Sequence, residues 1–167
     1  YSLQNERGLK DVPDDDWTLD RLRHSAECLQ EMGLERYEIS NYAVPGYECR
    51  HNLAVWRGED YIGLGDGACG RIGLKRTFST GASLVIGASE HPTIRPRVDV
   101  VSPSQDQIER RIFRLRTREG LDASGRPDWE QILHKYVQEG LLTREGMIFN
   151  LTERGMEVCD SILAELV

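Results

Sequence analysis

The chain has 167 residues, a hydrophobic fraction of 39% and a formal charge of −7, enough for one ordinary domain or two small ones and contrary to a general phosphate-binding role. No run of about 18 apolar residues offers a membrane span, and the opening YSLQNERGLKD lacks the basic and apolar stretches of a signal peptide. The four cysteines (Cys28, Cys49, Cys69 and Cys159) are widely spaced, with no CxxC or CxxxCxxC, so a reduced cytoplasmic setting is expected, without a disulfide framework and without a zinc or iron–sulfur ligand set in this chain.

Pro13 followed by Asp14-Asp15-Asp16 predicts a helix start, because acidic residues complement the positive end of the helix dipole. Leu19, Leu22, Ala26, Leu29 and Gly33 follow one helical face, and Gly33 is a natural stop. Cys28 is expected on an apolar face as a small core residue. Tyr37 and Ile39 alternating with Glu38 and Ser40 predict a short strand, and helix followed by strand is the repeating unit of α/β architecture. Ser40 to Arg57 reads as an irregular loop, Tyr61 to Leu64 as a second short strand, and Arg71 to Phe78 as β-like, with Ser79 to Glu90 ambiguous. Pro92, Pro96 and Pro103 mark a domain boundary between His91 and Ser104.

Ser104 with Gln107 reads as a capping box opening a helix that turns Ile108, Ile112 and Leu115 to one face and ends at Gly120. After Pro127, Asp128 is expected to cap a second helix with the stripe Trp129, Ile132, Leu133, Tyr136 and Val137, closed by Gly140. Leu141–Thr143 and Met147–Leu151 read as a hairpin turning at Arg144-Glu145-Gly146. Thr152 opens a last helix with Met156, Cys159, Ile162, Leu163 and Leu166 inward. Helix, helix, hairpin and helix suggest a winged-helix module. Residues 104–167 hold nine Lys and Arg against twelve Asp and Glu, a net −3. The outer side of the second helix (Glu130, Gln131, His134, Lys135, Gln138, Glu139) is too acidic to neutralise several phosphates, so DNA binding is not expected and a packing or docking role is.

The most unusual stretch is YEISNYAVPGYECRHNLAVWRGEDYIGLGDGACG, residues 37–70. Its aromatics, cysteines and histidine sit among turn residues, a pattern that faces ligands more often than cores. Gly65 to Gly70 fits GxGxxG, but no helix follows at once, which disfavours a dinucleotide site. A glycine turn beside another cofactor and a purely structural turn both stay open. Cys49 and His51 supply two possible metal ligands without a second pair. On spacing alone a partly buried loop, with His51 and Asn52 bonded to backbone, is preferred. Trp56 either stacks on a planar ligand or plugs the loop into the core. His24 and His134 read as solvated helix positions.

These residues also resemble a family. Tyr1-Ser2-Leu3 with Glu6, the block Tyr37 to Ala43, Pro45 to Asn52, Trp56-Arg57-Gly58, Tyr61 to Gly65, Gly67-Ala68, Glu109, Leu115 to Leu121 and Leu151 to Gly155 together resemble the C-terminal part of a radical S-adenosylmethionine protein. The group is that of oxygen-independent coproporphyrinogen III oxidase-like proteins, haem chaperone branch. The resemblance implies an α/β fold: residues 1–103 as the tail of an open, partial TIM-like barrel with its extension, and 104–167 as a small winged-helix-like α+β domain. The rest of such a protein carries three cysteines holding a [4Fe–4S] cluster on which S-adenosylmethionine binds. Those cysteines are absent here, so this chain is expected to be a fragment, inactive alone in radical chemistry.

In the chaperone branch an HNxxYW motif is associated with haem binding. It falls on His51, Asn52, Val55 and Trp56, with Val55 at the tyrosine position. The resemblance implies His51 as the ligand to haem iron, Trp56 over the porphyrin face, Arg50 or Arg57 on propionates, and Asn52 orienting the histidine. Gly63, Gly65, Gly67 and Ala68 become a cofactor-cavity turn. Cys69 stands where relatives usually have histidine; it is either a substitute ligand or, by slight preference, a small buried residue. The expected function is haem binding and delivery to haem-accepting proteins. The alternative is oxidative decarboxylation of coproporphyrinogen III, and the third reading a nucleic-acid- or protein-docking module. A dimer is compatible with the sequence, and a sheet edge exposed by truncation is expected to self-associate.

Overall fold

The computed structural model describes residues 14–65, 67–79 and 97–167. Tyr1-Ser2-Leu3, Glu6, Pro13, Asp66, nearly all of the ambiguous 79–90 stretch, His91, Pro92 and Pro96 lie outside them.

Helix α1 (Asp15–Glu31) starts as expected: the Asp14 carboxylate accepts the Trp17 amide at 2.7 Å. It ends at Gly33, whose φ of +78° suits only a residue without a side chain. The buried stripe is narrower than the sequence suggests. Ala26 is buried, Leu19 and Leu29 are half-buried, and Leu22 and Cys28 are exposed. Cys28 stands about 200° around the helix from Ala26, at about 100° per residue, which puts it on the solvent face and corrects its expected core role.

Strands β1 (Glu35–Arg36) and β2 (Tyr42–Ala43) pair antiparallel. The strand expected at Tyr37–Ile39 therefore lies earlier. Tyr37 and Glu38 are both buried, so the side chains do not alternate. Glu38 instead forms a single bridge with Thr117 from the far end of the chain. The region expected to be an irregular loop contains helix α2 (Arg50–Trp56); no Gly or Pro interrupts 47–57, so nothing breaks it once the Pro45-Gly46 turn is passed.

Strands β3 (Cys69–Ile72), β4 (Lys75–Phe78) and β5 (Arg97–Val100) form an antiparallel sheet in that order, as the β-like reading of 71–78 anticipates. Tyr61 makes only a lone bridge to Arg71, and 62–64 pair with nothing among the described residues, so the second expected strand is one residue.

Helix α3 (Pro103–Phe113) is capped two residues earlier than the sequence suggests, by Ser102 with Gln105. Pro103 takes N1, where its missing N–H costs nothing. A 3-10 turn (Arg114–Arg116), β6 (Leu121–Asp122), α4 (Pro127–Gln138), β7 (Leu142–Glu145), β8 (Ile148–Leu151), α5 (Glu153–Glu157) and α6 (Cys159–Ala164) follow. Arg126, not Asp128, is the residue before α4, because Pro127 fixes the first helical position and moves Asp128 into the first turn. The third sheet has the order β6-β8-β7. The expected single last helix breaks at Val158. Cys159, Ile162, Leu163 and Leu166 still point inward as the spacing predicts, and Glu157 reaches Arg23.

The main core lies in this second half. Trp129, Phe149, Leu115, Leu121, Leu133 and Ile162 are all but inaccessible, and the Trp129 indole donates to the Leu166 carbonyl at 3.1 Å. Among the described residues no helix is long and apolar enough to cross a membrane.

Candidate functional site

Helix α2 presents two adjacent stripes, because residues four apart share a face. Asn52 and Trp56 point inward. The Asn52 amide donates to the Tyr37 hydroxyl at 3.1 Å, and the Trp56 indole N–H donates to Glu38 Oε2 at 2.8 Å. Two consecutive residues, Tyr37 and Glu38, thus grip one face of the helix one turn apart. His51 and Val55 form the neighbouring stripe. His51 is exposed, and no hydrogen bond or ion pair holds its imidazole among the described residues. Among the described residues its aromatic neighbour is Tyr61, edge-on at 6.1 Å between ring centroids. Arg50 is likewise exposed.

The second half of the chain supports this helix from behind. The Trp56 ring meets Phe113 at 6.4 Å, and the Arg116 guanidinium lies 5.0 Å from its centroid. Arg57 donates from Nε to Glu119 at 2.7 Å, and that bond raises the Arg57 pKa further. The Arg118 amide donates to the Tyr37 carbonyl at 3.2 Å. The block 115–121 therefore clasps both Tyr37-Glu38 and Trp56-Arg57.

A second clasp joins the three-stranded sheet to α3. Buried Arg71 pairs with buried Asp106, Asp106 also accepts from Arg110 Nε at 2.7 Å, and Arg76 pairs with Glu109. Burial lowers the Arg71 pKa.

Of the residues expected to touch haem, then, His51 and Arg50 are accessible, whereas Asn52, Trp56 and Arg57 are committed to protein partners. His51 and Asn52 do not bond to backbone as the loop reading supposed, and His51 lies on a helix. A small cavity of about 220 Å³ lies beside α2, bordered by Glu38, Ser40, Asn41, Asn52, Val55 and Trp56. It falls below the roughly 300–1,000 Å³ usual for enclosed ligands, and His51 does not border it.

The glycine turn is explained by backbone geometry. A Cβ on Gly63 would run into the Cys69 carbonyl, and one on Gly70 would lie 2.7 Å from Thr77 Oγ1. Gly65 and Gly67 have φ of +103° and +71° with open space around them. Ala68 is half-buried, and Cys69 is exposed at the start of β3, which corrects the preference for a buried residue there. Cys159 alone among the four cysteines is buried, and burial pushes its thiol up to about 11. Native thiol titration at pH 8 is expected to modify Cys28, Cys49 and Cys69 quickly and Cys159 only after denaturation, since the thiolate is the reactive form. Rapid labelling of all four would contradict this arrangement.

No protein-family model matches the chain. It is 32% identical over 168 residues to Heme chaperone HemW of Mycobacterium tuberculosis (strain ATCC 25618 / H37Rv), covering 96% of this chain and 42% of that protein. It is 43% identical over 81 residues to Heme chaperone HemW of Escherichia coli (strain K12), covering 48% of this chain and 20% of that one. These matches support the haem chaperone branch of the coproporphyrinogen III oxidase-like radical S-adenosylmethionine family as the group this chain is similar to. The chain spans less than half the length of these relatives. In fold it is similar to the coproporphyrinogen III oxidase HemN of Escherichia coli, described as a radical SAM enzyme, with a TM-score of 0.65 at 18% identity over 93% of this chain and 42% of that one. That likeness establishes a shared mixed α/β fold over the matched residues.

Tyr37, Glu38, Thr117 and Glu119 were not singled out as site residues by the sequence. The blocks containing them carried the family resemblance, but nothing local in either block shows that they meet.

Proposed function

We propose that the chain is part of a haem-binding radical S-adenosylmethionine protein that passes haem to acceptor proteins, with residues 1–103 and 104–167 as its two units. The observation that carries this reading is the accessible, unengaged His51 imidazole on a helix pinned by Asn52 and Trp56. An imidazole nitrogen is a ligand for haem iron, and Arg50 is placed to pair with a carboxylate such as a propionate. Tyr61 and the exposed Ile62 and Leu64 follow closely in the chain and offer apolar surface. Asn52 and Trp56 serve by fixing the helix. Trp56 as a lid over the porphyrin has less support, because its N–H and ring are already engaged.

Haem would bring its own redox and ligand chemistry; the chain contributes a ligand and a cation. The family name also implies S-adenosylmethionine and a [4Fe–4S] cluster in the whole protein. Among the described residues no group of three or more His, Cys, Asp or Glu is placed to hold a metal, so no step through the cluster is assigned to this chain. The relatives named Heme chaperone HemW favour the chaperone reading over porphyrinogen oxidation.

Adding hemin to the chain is expected to give a Soret band shifted from that of free hemin. His51→Ala should abolish the shift, and added imidazole should restore it in that variant. Identical spectra for parent and His51→Ala would remove His51 from the proposal.

A further inference from the structure

Glu38 is 2% exposed and has no cationic partner among the described residues. A buried carboxylate without a counter-charge is costly unless several donors satisfy it. Three do so here: the Trp56 indole at 2.8 Å and the Ser40 amide at 3.3 Å, together with the Asn41 side-chain amide. One donor comes from α2 and two from the loop before β2, so the two carboxylate oxygens join the helix to that loop. The Glu38 backbone is itself fixed to Thr117. The carboxylate is therefore the point where the winged-helix-like half, the β1–β2 turn and the end of α2 meet.

We infer that Glu38 is a positioning residue for His51, acting through the Trp56 indole on the orientation of α2. The inference rests on the reading of His51 as a haem ligand. An apolar residue at 38 would fill the same space without asking for three donors, and a hydrophobic contact has no direction. A carboxylate specifies where the indole N–H must point, and with it the rotation of the helix that carries His51 five residues earlier. Groups that orient a metal ligand from one layer out typically change metal affinity by about 10–100-fold when altered.

The test is hemin titration of the 167-residue chain and its Glu38→Gln, Trp56→Phe and His51→Ala variants, with urea unfolding and the indole ¹H–¹⁵N NMR spectrum of each. Glu38→Gln keeps the shape but cannot accept from all three donors at once. Trp56→Phe removes the indole donor while keeping an aromatic ring against Phe113, and serves should Glu38→Gln fail to fold. Both variants are expected to weaken hemin binding by about tenfold or more, with broadened or shifted Soret bands. In Glu38→Gln the Trp56 indole resonance should also move. A merely structural role would lower the unfolding midpoint yet leave the hemin spectrum and affinity of the folded fraction unchanged. If folded Glu38→Gln or folded Trp56→Phe binds hemin within twofold of the parent while His51→Ala does not bind, this inference fails and the ligand assignment stands. If His51→Ala binds as the parent does, both fall.

Discussion

Replacing Asp106 with alanine is expected to destabilise the folded chain by about 3–5 kcal/mol, the usual result of removing one member of a buried ion pair. Asp106 is 8% exposed and Arg71 6%, and Arg110 donates to the same carboxylate. Truncation leaves the buried Arg71 guanidinium without its counter-charge and beside the half-buried Arg110. Arginine does not escape by losing its proton, since a guanidinium stays charged in proteins. Relaxation is also blocked on one side. Gly58 packs on this cluster, and even a Cβ there would come within 2.9 Å of Arg110 Cγ. Asp106→Asn, which keeps one acceptor oxygen but no charge, should lose less. Urea unfolding checks both: the midpoints should fall in that order with the slope unchanged. A loss under about 1 kcal/mol for Asp106→Ala would mean that the pair is solvated.

The elements that could be read from the sequence share one property: their signals are local. Asp14 and Gly33 announce the ends of α1, and the Trp129, Leu133, Tyr136 stripe announces α4, because caps and periodicity act within a few residues. The hairpin of β7 and β8 is equally local. The misread stretches answer to distant partners. Tyr37-Glu38 looked like an alternating strand, yet both side chains are buried because Thr117 and Trp56 close over them. Helix α2 was hidden by the turn residues crowded before and after it. The histidine could be picked out by type and motif, but its status could not. Whether an imidazole is exposed or plugged into a core depends on which face of α2 meets Tyr37, and only the fold decides that.

Trp56 illustrates the point with the second large effect. Its aromatic character suggests a role on a ligand, whereas its surroundings make it the anchor of helix α2. Trp56→Ala should cost about 3 kcal/mol, the low end for a large aromatic truncated in a packed setting, since the residue is only half-buried. Two physical losses combine. The ring leaves Phe113 and the Arg116 guanidinium, 6.4 and 5.0 Å away, without their partner, and Glu38 loses its donor from α2 while remaining buried. The loss should appear in urea unfolding without hemin, because nothing in it depends on a ligand. A tryptophan that mainly covers a porphyrin would behave otherwise: its removal would leave the ligand-free stability within about 0.5 kcal/mol, as surface substitutions usually do, and change only hemin binding. Those two outcomes separate an anchor from a lid in one measurement, and the packing around the indole favours the anchor.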